Sequence, residues 1–135
     1  MTRDVYLGFL KLEGEETEDT LTTASNYAAS LIDLRRFEEA KTLLRKLMPV
    51  AQRILGDNGY ITLLTRSVYA KALYEDPGAT LEDLREAVTT LEEIERTARR
   101  VLGGTHPLTM DIEDVLRGMR AALRDAVAVG HDSEH

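Results

Sequence analysis

Apolar residues recur along this chain at the 3.6-residue period of amphipathic helices, and no segment alternates as a half-buried strand would. Leu21, Ala24, Tyr27, Ala28 and Leu31 form the stripe of a helix over residues 19–34, which Arg35-Arg36 ends. Phe37, Ala40, Leu44, Leu47, Ala51 and Ile54 place a second helix over 37–55. Glu38 and Glu39 sit in its first turn and Arg53 near its end, where they complement the helix dipole. Gly56 closes it, and Asp57-Asn58-Gly59 reads as a turn. A third helix, 60–74, carries Leu63, Tyr69, Ala70 and Leu73 inward. Thr80 with Asp83 is the N-cap of a fourth, running to residue 102, with Leu84, Ala87, Leu91, Ile94, Ala98 and Val101 buried. Gly103-Gly104 stops it, Pro107 suits a first turn, and Ile112, Val115, Leu116, Met119 and Leu123 stripe a closing helix.

The stripes repeat. Thr20, Leu21, Ala28 and Leu31 return 42 residues later as Thr62, Leu63, Ala70 and Leu73. Ala40, Leu55, Gly56 and Thr62 return 47 residues later as Ala87, Leu102, Gly103 and Thr109. The five extra residues fall at Asp76-Pro77-Gly78-Ala79-Thr80, whose composition is that of an enlarged surface turn. Such periods mean stacked supersecondary units, because one helical pair cannot bury its apolar face alone. The run Gly14 to Thr20 repeats the joint seen again at 56–62, so residues 4–12 should be a short helix without its partner. The array then begins in mid-unit, either as a slice of a longer protein or with this half-hairpin as a cap. The expected organisation is one domain over 1–129: half unit 1–14, unit one 18–56, unit two 60–104 with its insertion 76–80, and a capping helix 106–128. A flexible tail over 130–135 follows.

Composition narrows the functional classes. A chain of 135 residues with no cysteine excludes disulfide scaffolds, cysteine nucleophiles and thiolate zinc sites. The apolar run Val5 to Leu10 is too short for a signal segment or a membrane span, which reads as a soluble cytoplasmic protein. A net charge of -7 repels a phosphate backbone, so no nucleic-acid role is expected. Arg96, Arg99 and Arg100 are the nearest approach to a basic stripe. They alternate with Glu92, Glu93 and Glu95, and the pairs Glu92/Arg96 and Glu95/Arg99 read as a solvated helix face.

The pattern Ala24-x2-Tyr27-Ala28-x2-Leu31 followed by Phe37-x2-Ala40 resembles the tetratricopeptide repeat. The 42-residue spacing and the joint Leu102-Gly103-x-x-His106-Pro107-x-Thr109-Met110 are similar to the kinesin-light-chain type of that repeat. The resemblance runs from Gly14 to Met110 and implies an all-α, right-handed α-solenoid of antiparallel hairpins. Departures exist: Ala24 and Arg66 stand where many repeats carry tryptophan, and Arg35 replaces a turn glycine. Arg117 occupies the register of Ala28 and Ala70, so no further hairpin can pack there in the same way and the last helix acts as a cap.

Chemistry is scarce. His106 belongs to the repeat joint, His131 and His135 lie in a polar tail, and Gly103-Gly104-Thr105 lacks the lysine and preceding strand of a phosphate loop. No catalytic residue, metal site or cofactor is expected, and Asp33 and Glu75 read as equivalent carboxylates on a concave wall. The resemblance implies an interaction module whose first helices line a groove for an extended peptide. Carried over, the groove residues are Thr22, Ser25, Asn26, Ala29, Ile32 and Asp33 from unit one. Leu64, Ser67, Val68, Lys71, Tyr74 and Glu75 come from unit two. Ile32, Leu64, Val68 and Tyr74 form an apolar strip, free for a partner or covered in part by the closing helix. The expected guest is a peptide with an apolar anchor flanked by Lys or Arg. The alternative is a structural segment of a larger array, or a homo-oligomer assembling through Val5, Leu7 and Phe9.

Overall fold

The computed structural model describes residues 18–133, with side chains to Val129. Five helices follow one another: α1 (Glu18–Asp33), α2 (Phe37–Leu55), α3 (Tyr60–Glu75), α4 (Leu81–Val101) and α5 (Pro107–Ser133). No strand occurs among the described residues. The half unit assigned to residues 1–14, with Val5, Leu7 and Phe9, lies outside them.

Each helix packs on the next in the chain, as short connections require. In addition α1 packs on α3 and α3 on α5, whereas α2 and α4 stay apart. The first helices of the units therefore form an inner stack and the second helices an outer, more open row. Small residues permit the close crossings: Ala28, Ala40, Ala70 and Ala87 have no exposed surface. Leu21, Leu44, Leu63, Leu73, Leu91, Ile94, Ile112 and Met119 fill the spaces between. Of the residues assigned to the stripes, Val101 is the exception at 44% exposed, because it lies in the last turn of α4.

Helix ends carry local explanations. α1 ends in a Schellman arrangement, with Arg36 N–H donating to the Leu31 carbonyl and Arg35 N–H to that of Ile32. Arg35 takes the left-handed conformation (φ 61) that glycine usually supplies. α2 runs to Leu55, so a Cβ at Gly59 would lie 2.8 Å from the Leu55 carbonyl oxygen; only glycine fits there. α4 stops one residue earlier in register, and the position equivalent to Gly59 is His106. Its Nδ1 accepts the Leu108 N–H at 3.0 Å, capping α5 just ahead of Pro107.

The insertion differs from a simple surface excursion. By the 47-residue offset Phe37 corresponds to Leu84, yet α4 starts at Leu81. Part of the added length thus extends the helix, which opens on a Thr80/Asp83 capping box. The rest is anchored. Asp76 accepts from Gly78 N–H at 2.9 Å and from Lys41 Nζ at 2.9 Å, and Lys41 is a buried residue of α2, 6% exposed. α5 continues to Ser133, past the expected boundary at 128 and through Gly130, the expected start of the tail.

Candidate functional site: an inner cleft

The inner stack leaves a cleft of about 450 Å³ between α1, α3 and α5. Ile32 and Val68, each 7% exposed, form its floor. Ala29 and Tyr74 flank the floor, Val115 and Gly118 of α5 close the far wall, and Asp33, Lys71 and Glu75 make the rim. A second depression of about 540 Å³ continues from Asp33, Tyr74 and Glu75 to Arg35 and Phe37. Together they make a channel along the inner face.

Seven of the twelve groove residues read from the sequence line this cleft: Ala29, Ile32, Asp33, Val68, Lys71, Tyr74 and Glu75. The others do not. Ser25 is buried between stacked helices, its hydroxyl 2.8 Å from that of Thr65, which also donates to the Ile61 carbonyl. Ser67, in the equivalent position, is likewise buried. At this register the side chain meets neighbouring protein, not the groove. Thr22 is half-buried and returns its hydroxyl to the Glu18 carbonyl at 2.9 Å. Leu64 packs against the core, and Asn26 is exposed on α1 outside the cleft. The strip of Ile32, Leu64, Val68 and Tyr74 is therefore part floor and part core, covered in part by α5.

Val115 belongs to the apolar stripe of the closing helix and Gly118 lies beside it, and nothing in their spacing marks either as a site residue. A Cβ at Gly118 would lie 3.6 Å from the Tyr74 hydroxyl, so the missing side chain leaves open the space in front of that hydroxyl.

The rim is acidic in effect. Lys71 donates to Asp111 of α5 at 3.1 Å, which neutralises the one cation on this wall of α3. Among the described residues Asp33 and Glu75 have no cationic partner. The Tyr74 hydroxyl likewise has no hydrogen bond there. Lys41 lies on α2, beyond the cleft. Burial pulls its ammonium down, but hydrogen bonds to Asp76 and Glu38 outweigh this and hold it above its ordinary value. The same hydrogen bond from Lys41, then that from Gly78 N–H, holds the Asp76 carboxyl below its usual range.

On α4 the expected pair Glu95–Arg99 forms at 2.8 Å. The pair Glu92/Arg96 does not, because α5 offers Glu92 a better-placed cation, Arg120, at 2.9 Å. Arg96 is left to face a separate outer cleft. Among the described residues no three His, Cys, Asp or Glu side chains gather as a metal cluster, and no helix is long and apolar enough to cross a membrane.

Comparison with curated proteins and with solved structures gives no match. The tetratricopeptide repeat family matches residues 20–59, which span α1, α2 and their joint to α3. Residues 20–59 thus match a tetratricopeptide repeat, within an all-helical array of sequentially packed hairpins.

Proposed function

We propose that the protein is a non-catalytic interaction module that holds an extended peptide in the inner cleft, with an apolar side chain of the guest seated on Ile32 and Val68. Tetratricopeptide repeats generally mediate protein–protein interactions and are typically non-catalytic. One juxtaposition supports a peptide guest here: an apolar floor beneath a rim where Asp33 and Glu75 lack cationic partners among the described residues. Such a rim favours Lys or Arg beside the guest's apolar anchor. The Tyr74 hydroxyl offers both a donor and an acceptor to the guest's backbone.

The test is fluorescence anisotropy with short peptides carrying Leu or Phe between basic residues, against acidic counterparts. Gly118→Leu places a side chain in the cleft and should weaken binding of the basic peptide by roughly tenfold or more. Asp33→Lys/Glu75→Lys should reverse the charge preference, and binding to the wild type should weaken as salt rises. Equal binding of both peptides, or binding untouched by Gly118→Leu, would move the working surface elsewhere and favour self-association.

A further inference from the structure

We infer that the outer row carries a second binding site, a slot between α2 and α4 that takes an acidic peptide segment. Because these two helices stay apart, the space over α3 is open, a cleft of about 570 Å³. Every residue lining it is polar, and three of them are arginines in a chain whose net charge is -7. Arg66 rises from α3 and donates to Glu93 at 2.8 Å, with its side chain only 21% exposed. Arg96 has no carboxylate partner among the described residues, since Glu92 pairs with Arg120. Among the described residues Arg100 has only the neutral Asn58 side-chain oxygen, at 3.4 Å.

Arg96 and Arg100 are four residues apart on one helix face, a like-charge arrangement that isolated helices disfavour. Chain carboxylates relieve it only partly: Glu93 is engaged by Arg66, and Asp57 is the one other acid in the lining. The lining holds Arg66, Arg96 and Arg100 against Glu93 and Asp57, a surplus of one positive charge. That surplus suits one or two carboxylates on a peptide, which planar guanidinium groups bind through paired hydrogen bonds. It does not suit a dense polyanion, which Asp57, Glu93 and the overall charge would repel. The slot lies on the opposite side of α3 from the inner cleft, and the two share no lining residue.

The experiment is titration of a fluorescent Asp/Glu-rich octapeptide at low ionic strength. Wild type, Arg96→Glu/Arg100→Glu, Arg96→Gln/Arg100→Gln and Gly118→Leu are compared. Both arginines are exposed, and circular dichroism melts confirm that each variant is folded. The expected result is saturable binding that weakens roughly tenfold or more in the Glu variant, less in the Gln variant, and not at all in Gly118→Leu. Absence of saturable binding, equal binding by the Glu variant, or tighter binding of a single-stranded oligonucleotide than of the peptide would each overturn the assignment. The Gly118→Leu arm keeps this outcome separate from that of the inner cleft.

Discussion

Thr62 and Thr109 occupy one repeat position and are both fully buried, yet their hydroxyls fare differently. Thr62 donates to the Ala51 carbonyl of α2 at 3.1 Å, tying the start of α3 to the end of the helix before it. The register-equivalent acceptor for Thr109 is the Ala98 carbonyl, which already receives N–H groups from Leu102 and Gly103, and among the described residues the Thr109 hydroxyl has no partner. A buried hydroxyl without a partner costs about 1–3 kcal/mol, whereas a satisfied one contributes about 1 kcal/mol. Valine keeps the shape and removes the hydroxyl, so Thr62→Val should destabilise by about 1 kcal/mol while Thr109→Val should be neutral or stabilising. Urea unfolding of the two variants checks this, and equal destabilisation would mean that Thr109 is satisfied in solution. The residues the two joints share, Leu55, Gly56 and Thr62 against Leu102, Gly103 and Thr109, do not distinguish these threonines. The difference arises because α4 ends one residue sooner than α2 does in register, which changes which carbonyls are free.

Among the elements, the α3–α4 connection and the start of α5 hold the most local information. Asp76 locks the connection to buried Lys41, and the sign of its pH dependence follows from the depressed carboxyl value. Its stabilisation is complete above the unfolded value of about 3.9 and is lost as pH falls through the lower folded value. Lys41, held above its ordinary 10.5, contributes below that value and loses its contribution as pH rises through its folded value. Asp76→Asn should therefore flatten part of the acid limb of a stability–pH profile and cost about 1–3 kcal/mol at neutral pH, because it leaves a buried ammonium poorly matched. Lys41→Met should cost less, within about 1 kcal/mol, since it removes the desolvated charge itself. An unchanged acid limb in Asp76→Asn would show that the pair is not formed in solution. Loop length alone changes stability slowly, but excising 76–80 also removes this anchor and the Thr80 cap, so the deletion should stay helical and melt at lower temperature. At α5, His106→Ala should cost about 1 kcal/mol by removing the cap, with Asn partly restoring it. Thermal melts of the two side by side decide whether the cap is real.

Across the whole molecule, the inner stack of α1, α3 and α5 makes one channel and the gap between α2 and α4 makes another, so the same helical array offers two faces of opposite character. Gly118 lies where stability and binding separate. A methyl group there meets nothing closer than 3.6 Å, and replacing a helix-interior glycine should stabilise by about 0.5–1 kcal/mol, so Gly118→Ala should melt higher while the cleft stays open. A lower melting temperature would show that α5 packs more tightly on Tyr74 than this 3.6 Å spacing allows. The sequence by itself determined the helices, the two units and the match of their alanines to close crossings, because periodicity and small residues act locally and repeat. It also placed most of the inner wall, since residues such as Ile32 and Val68 share a helix face whatever packs against them. Only the tertiary structure decided that Ser25 and Ser67 are buried, that Val115 and Gly118 finish the cleft, and that Glu92 leaves Arg96 for Arg120. Those outcomes depend on the crossing of helices far apart in the chain, and a side chain's choice among several nearby partners is set by that crossing and not by its spacing in sequence.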